Sequence, residues 1–285
     1  MFWILSKRNF KSDPGEKFGQ FALHERISAG GMAEIWLVTN PEGKPFALRR
    51  LLPDLVWNLK SRHRFFRGAE IFKRVSGSPY FITYVDHGKI KGWPYILMEY
   101  VEASNLKELI ARRDPIYLEN IAQFLLDAAE ALLHMHNRGF MHLDFKPENI
   151  LVTRNAQLKL IDFDLARPIP DKPTRYRDNP GTPSYMAPEQ LMHQPFDQRA
   201  DIFAYGVFAY EMVTLQKPFP GSTPDEILNR QLNRSGFITP RQHNPDVPPQ
   251  LERIILKCLE TDPNRRYPLT EGLVYDLRNA LYVKS

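Results

Sequence analysis

The run His142-Leu143-Asp144-Phe145-Lys146-Pro147-Glu148-Asn149 places an aspartate, a lysine two residues on and an asparagine five residues on within one short stretch. If the chain loops there, the three side chains converge. The Asp144 carboxylate can then accept a proton, the Lys146 ammonium can hold a phosphate, and the Asn149 amide can ligate magnesium. Thirteen residues past Asn149 stands Asp162, directly after the apolar run Leu158-Lys159-Leu160-Ile161. It supplies a second oxygen for a metal. One such acidic residue alone is usually a cap or a solvated side chain. The set at these spacings reads as a site that handles phosphate and metal.

These groups need elements to hold them. Residues 18–52 read as strands: Phe21-Ala22-Leu23 and Ile35-Trp36-Leu37-Val38 flank the turn-like Ser28-Ala29-Gly30-Gly31, and Asn40-Pro41-Glu42-Gly43 turns into Pro45-Phe46-Ala47-Leu48. Phe65, Ala69 and Phe72 fall on one helical stripe within 61–75. Phe81 to Val85 and Tyr95 to Tyr100 read as two more strands. A short connector follows near Val101–Ser104. Beyond it Ile121, Phe124, Leu125, Ala128 and Leu132 mark a long helix ended by Gly139. Asp201 to Leu215 is apolar nearly all round, the pattern of a buried helix. Leu251 to Leu259 and Leu273 to Leu281 are further helices. Residues 162–189, rich in proline and polar groups, read as a long loop, and loops of that length are usually functional or disordered. The expected division is an arm over 1–17, a small β-rich lobe over 18–100 and a large helical lobe over 101–285.

Composition narrows the function classes. The 285 residues are 43% hydrophobic and 25% charged, close to an ordinary globular protein. No apolar run approaches the roughly 18 residues of a transmembrane helix. Cys258 is the single cysteine, so an intramolecular disulfide and a cysteine-rich zinc site are excluded, and a cytoplasmic setting fits. The net charge of +5 is spread along the chain and demands no nucleic acid. At the N-terminus, Met1-Phe2-Trp3-Ile4-Leu5 precedes Lys7 and Arg8, the reverse of a signal peptide's order, and is expected to be an arm.

With these motifs in order, the sequence resembles the protein kinase superfamily, and its serine/threonine branch of bacterial type, over about residues 20–282. Asp144 matches the catalytic-loop base, Lys146 the phosphate lysine, and Asn149 and Asp162 the magnesium ligands. Gly181-Thr182 matches the substrate-facing loop, and Ala187-Pro188-Glu189 the end of the activation segment. Asp201 and Gly206 match the central helix of the large lobe, and Arg266 the arginine that pairs with that glutamate. The resemblance implies an α+β bilobal kinase-like fold. It also implies a glycine-rich loop at Ser28, Gly30 and Gly31, with Ala33 at the last glycine position. Adenine would be sandwiched by Ile27, Ile35, Ala47 and Leu151, Met98 would be the gatekeeper, and Glu99 and Val101 would offer hinge backbone groups. For these apolar residues plain core packing is the competing reading.

Four departures bear on chemistry. The lysine of the β-strand motif is Arg49, in Phe46-Ala47-Leu48-Arg49. The helix that should carry its glutamate partner has Gly68, and Glu70, about 200° further round, points elsewhere. The arginine before Asp144 is Leu143, which cannot hold a phosphorylated loop residue. The glycine after Phe163 is Asp164. Arginine is a larger planar fork than lysine, so the exchange is not neutral. Aspartate at 164 also removes a glycine from a segment that often needs backbone freedom.

Two readings follow. One is a protein that binds ATP and magnesium but transfers phosphate weakly or not at all, regulating a protein partner. The other is an active serine/threonine kinase with Asp144 as base, Arg49 in place of lysine and a protein substrate. Gly68 removes one carboxylate where Asp164 adds another, so Arg49 is expected to pair with Asp164. The competing placement sends Arg49 to solvent or to Asp162.

Overall fold

The computed structural model describes residues 17–281, so the arm expected at Met1–Leu5 lies outside the described residues. The chain begins with β1 (Lys17–Phe18), β2 (Phe21–Ala29), β3 (Ala33–Thr39) and β4 (Pro45–Leu51). Helix α1 (Leu59–Val75) precedes β5 (Tyr84–Ile90), β6 (Trp93–Glu99) and β7 (Ala103–Asn105). Next come α2 (Leu106–Arg112), α3 (Pro115–Glu119) and α4 (Ile121–Asn137), then β8 (Phe140–Met141), β9 (Ile150–Thr153), β10 (Leu158–Leu160) and β11 (Arg167–Pro168). The remainder is α5 (Pro188–Leu191), α6 (Arg199–Thr214), α7 (Pro224–Asn233), α8 (Pro240–His243), α9 (Pro249–Cys258) and α10 (Thr270–Leu281).

The first compact unit runs through Ala111 and includes Ile150–Asp164. Its main sheet is antiparallel with strand order β1-β2-β3-β4-β6-β5. Local chemistry sets its turns. Asn40 accepts the Lys44 N–H at 2.8 Å, and Gly43 takes φ +77°. The β5–β6 hairpin closes on Lys91-Gly92, both left-handed, as two-residue hairpin turns require. One face of the sheet buries Phe18, Phe21, Leu23, Val38, Phe46, Leu48, Tyr95 and Leu97 in a single cluster. Arg50 lies over the rings of Phe18, Trp36 and Trp93 and donates to Glu34 at 2.7 Å. Helix α1 starts at Asn58, whose side chain accepts the Ser61 N–H at 3.0 Å, and ends with Lys73 and Arg74, favourable against the helix dipole.

Three local readings differ from the sequence. Phe81 makes only an isolated bridge to Leu160, and the strand starts at Tyr84. Phe81 and Ile82 are apolar because they are core residues, not because they alternate along a strand. The connector near 101–104 contains β7, which pairs with β9 in a second sheet of order β10-β9-β7. That pairing, with the Leu160 N–H bound to the Tyr80 carbonyl at 2.8 Å, carries residues 150–164 into the first unit. The first unit is therefore built from two stretches of the sequence.

The second unit comprises Arg112–Asn149 and the chain from Leu165 onward. It is helical around α6, which is buried from Ala200 to Val213 as its unbroken apolar pattern predicts. Gly206 permits the approach of α9: a Cβ there would stand 2.7 Å from that of Cys258. Phe145 packs edge-on to Phe208 at 5.3 Å, which fixes the catalytic-type loop on α6. Among the described residues, no helix is long and apolar enough to cross a membrane.

Candidate active site

In the first unit, strand register assembles the expected nucleotide residues. Ser28 pairs with Ile35, Ile35 with Arg49, and Ala47 with Leu37 and Met98. Directly opposed residues share a face, and residues two apart share it too. Ile35, Ala47, Arg49 and Met98 therefore lie on one face, opposite to the Phe46–Leu48 cluster. Ile27 falls at the irregularity between Arg26 and Ser28. Leu151 is fully buried in the second sheet of the same unit. The Gly30 N–H donates to the Ala33 carbonyl at 2.8 Å and closes the turn. A Cβ at Gly31 would meet nothing within 4 Å, so the loop's flank is open there. Glu99 is tied to Thr83 in both directions: its N–H donates to the Thr83 carbonyl, and its carboxylate accepts the Thr83 N–H. Among the described residues the Val101 N–H has no partner, which leaves a donor for a ligand.

Arg49 faces Asp164. Its Nη1 donates to Oδ1 at 2.7 Å, and its Nη2 donates to Oδ2. Nη2 also lies 3.6 Å from Asp162 Oδ1, and the guanidinium sits 5.3 Å from the centroid of the Phe65 ring. Both members of the pair are largely buried, with side-chain exposures of 15% and 12%. Burial opposes the charge on Arg49, but Asp164 and then Asp162 hold its pKa above the ordinary arginine value. Burial pushes the Asp164 carboxyl up, and Arg49 pulls it back. The expected pair forms, and the competing placement toward Asp162 is present as its weaker arm.

Gly68 is more than the missing carboxylate that the sequence reads at this position. A Cβ at this position would stand 2.9 Å from the Phe163 carbonyl oxygen and 3.3 Å from the Asp164 Cα. The glycine allows the helix to touch the 162–164 segment. Phe72 stacks on Phe163 at 5.1 Å, and Arg67 donates to the Asp164 carbonyl at 3.1 Å, closing the contact. The concern about backbone freedom at 164 also falls away. The left-handed residue is Asp162, at φ +65°, and Asp164 is not among the left-handed positions. Glu70 lies as the helical angle requires, facing His87 at 3.2 Å.

In the second unit, Asp144 is surrounded by the residues named with it. The Asn149 Nδ2 donates to the Asp144 carboxylate at 2.9 Å and to its carbonyl at 2.8 Å. Lys146 Nζ stands 2.8 Å from Asp144 Oδ2. Thr182 donates to Oδ1 at 3.0 Å and accepts from Lys146 at 2.6 Å. The sequence named Thr182 as a substrate-facing residue but not as a contact of the base. Asp201 anchors the loop from below, accepting the N–H groups of His142 and Leu143 at 2.8 Å each. Burial works to raise the Asp201 carboxyl, yet the hydrogen bond and charge of His136 and the backbone donors hold it below the usual range. His136 was missed because a lone histidine on a helix carries no spacing signal. Its partners, Asp201 and Thr270, are 65 and 134 residues away. Leu143 is buried at φ +64°, a strained position for leucine that these bonds maintain.

Each residue expected to hold a metal keeps an oxygen for it within its own unit. Asn149 uses its amide nitrogen on Asp144 and retains its carbonyl oxygen. Asp162 accepts from the Asp164 N–H and faces Arg49 through Oδ1, retaining Oδ2. Oxygen donors of this kind suit magnesium.

Further along, Arg266 grips Glu189 with two bonds of 2.7 and 2.8 Å, as the motif match implied. The 165–187 segment is held by contacts of its own. Arg167 lies over the Tyr176 ring at 4.4 Å and donates to the Asp178 carbonyl, and Thr174 exchanges both backbone bonds with Phe196.

A glycine-turn sheet with one helix, joined to a helical unit carrying His-x-Asp-x-x-x-x-Asn and a locked Ala-Pro-Glu, defines a protein kinase domain. The chain belongs to that family: the protein kinase domain profile matches residues 21–276. It is 30% identical to a probable serine/threonine-protein kinase of Streptomyces coelicolor, across 94% of this chain and 41% of that protein. It is 29% identical to the serine/threonine-protein kinase PknB of Mycolicibacterium smegmatis, across 90% of this chain and 42% of that protein. A probable serine/threonine-protein kinase of Thermomonospora curvata, PkwA, is 30% identical across 93% of this chain and 34% of that protein. The chain thus spans about two fifths or less of these relatives' length.

Proposed function

We propose that this chain is a serine/threonine kinase-like domain that binds ATP and magnesium and transfers phosphate slowly or not at all. The observation that carries this reading is the two-pronged engagement of Arg49 by Asp164. A guanidinium held by one carboxylate and flanked by a second has part of its charge and two of its donors committed before a phosphate arrives. Losing one preorganised charge at a reacting centre lowers the rate by about 10²–10³. Adenine lies against Ile27, Ile35, Ala47, Met98 and Leu151, with Glu99 and Val101 giving backbone bonds and Ser28, Gly30 and Gly31 approaching the phosphates. Asn149 in one unit and Asp162 in the other would each offer an oxygen to magnesium, whose charge would neutralise phosphate oxygens of ATP. Asp144 orients a protein hydroxyl and accepts its proton, and Lys146 steadies the transferring group. Where transfer is absent, the same domain acts on a protein partner through its nucleotide-bound form.

The active reading has its own support. Asp144, Lys146, Asn149 and Thr182 form a complete hydrogen-bonded set. Radiolabel phosphotransfer with magnesium or manganese, comparing the chain with Asp144→Asn, separates the two. A signal within tenfold of an ordinary kinase that vanishes in the variant favours the active enzyme. The proposal expects a signal about 10²–10³-fold lower, or none, with Mg-ATP still raising the melting temperature. No thermal shift at millimolar Mg-ATP would overturn nucleotide binding.

A further inference from the structure

The segment 162–164 is tied to the rest of its unit by an unusual set of contacts. Arg49 reaches it from β4, through both oxygens of Asp164 and toward Oδ1 of Asp162. Arg67 reaches it from α1, through the Asp164 carbonyl. The Asp164 N–H turns back to Asp162 Oδ1 at 3.3 Å. Phe163 is stacked on Phe72 and packed near Phe81. The carboxylate that meets Arg49 therefore comes from this segment, while α1 presents a glycine where an added Cβ would stand 2.9 Å from the Phe163 carbonyl oxygen.

We propose that the acidic partner of the sheet cation has been transposed from helix to loop, making Arg49 and Asp164 positioning residues for Asp162 and not contacts of the phosphates. This rests on the nucleotide-binding reading above. The chemistry follows from the atoms. Asp162 sits in a left-handed conformation that a non-glycine residue adopts only when its surroundings hold it. Arg49 and the Asp164 N–H both address Oδ1, which leaves Oδ2 available to a metal. Groups that orient a metal ligand in this way commonly control metal affinity by about 10–100-fold. Arg49 is thereby anchored to the segment that bears the expected metal ligand.

The test is a titration of the full chain and of Arg49→Met, Arg49→Lys and Asp164→Asn with three probes: adenosine, ATP in EDTA, and ATP with magnesium. Calorimetry and thermal shift give the affinities. The proposal expects adenosine and metal-free ATP to bind every variant about as tightly as the parent. The gain on adding magnesium should fall about 10–100-fold in Arg49→Met and Asp164→Asn, and less in Arg49→Lys, which keeps the charge without the fork. A loss of tenfold or more for metal-free ATP in Arg49→Met, with Asp164→Asn unchanged for all probes, would overturn it and make Arg49 a phosphate ligand. If Arg49→Met loses adenosine as well, its fold has failed and the isosteric Asp164→Asn decides. An unchanged magnesium gain there also overturns the proposal. A parent chain that binds none of the three probes refutes the nucleotide reading and this role with it, an outcome distinct from any difference among variants.

Discussion

Two arginine–carboxylate pairs, one in each unit, share a geometry and differ in what surrounds them. Arg266 and Glu189 are joined by two bonds, with side-chain exposures of 0% and 6%. Arg266 has further acceptors in the carbonyls of Arg199, Glu260 and Thr261, and its guanidinium lies over Phe203. Arg49 and Asp164 are likewise joined by two bonds, but they are less completely buried, and a second carboxylate waits 3.6 Å away. The first pair is isolated and saturated, so it can only be made or broken. The second is one choice among two acceptors beside a candidate metal ligand, so it can be rearranged. A buried pair with no alternative fixes structure, whereas a pair with a nearby alternative can tune a site.

The difference ranks the expected effects. Glu189→Gln should be the most damaging. It leaves a fully buried guanidinium uncompensated, and losing one member of such a pair destabilises by about 3–5 kcal/mol. Urea unfolding followed by circular dichroism measures this. A loss below 1 kcal/mol would mean the carbonyl acceptors alone suffice. Asp164→Asn should destabilise less, by about 1.5–3 kcal/mol, the range for hydrogen bonds to charged groups. Asp162 can take over part of the contact. If both changes prove equally damaging in the same unfolding assay, the contrast between the pairs fails.

Gly68→Ala sharpens the comparison because two principles oppose each other. In an open helix, alanine in place of glycine stabilises by about 1 kcal/mol. Here the new Cβ would stand 2.9 Å from a backbone carbonyl. Overpacking of this kind destabilises by about 1–3 kcal/mol, so the net sign should be unfavourable. A melting temperature that rises would show that α1 and the 162–164 segment separate easily. Restoring the ordinary pattern with Gly68→Glu is thus expected to disturb the segment it was meant to support.

The smallest effects are expected on the exposed parts of both units. Glu70→Ala removes a half-exposed carboxylate beside His87 and should change stability by no more than about 1 kcal/mol. Thr174→Ala should leave stability and Mg-ATP affinity nearly unchanged. Thr174 is held through its backbone by Phe196, and its hydroxyl donates only to the nearby Lys172 carbonyl. Leu143 offers no charge for a phosphate at that position. A large response to Thr174→Glu would show that the 165–187 segment has a cation partner for it after all.

The catalytic-type loop was legible because its chemistry lies within eight consecutive residues. Helices α1 and α6 were legible because apolar spacing reports one buried face or a helix buried all round. The expected adenine-side residues Ile35, Ala47 and Met98 came from the family resemblance, and register places them on one face. Thr182, His136 and the anchoring role of Asp201 were less legible. Each acts on the loop from a distant part of the chain, and nothing in local spacing links them to it.

The sequence by itself determined the family, the order of elements and the identity of the altered positions, since these depend on residue types read in series. It also showed that one carboxylate was missing at 68 and another present at 164. Tertiary structure alone decided that Arg49 takes Asp164 with both nitrogens, and that Gly68 is a point of contact and not a simple loss. The physical reason is that ion pairing and backbone contact depend on distances of a few ångströms between residues 115 and about 95 positions apart. Periodicity and spacing report local geometry, and the fold sets those distances.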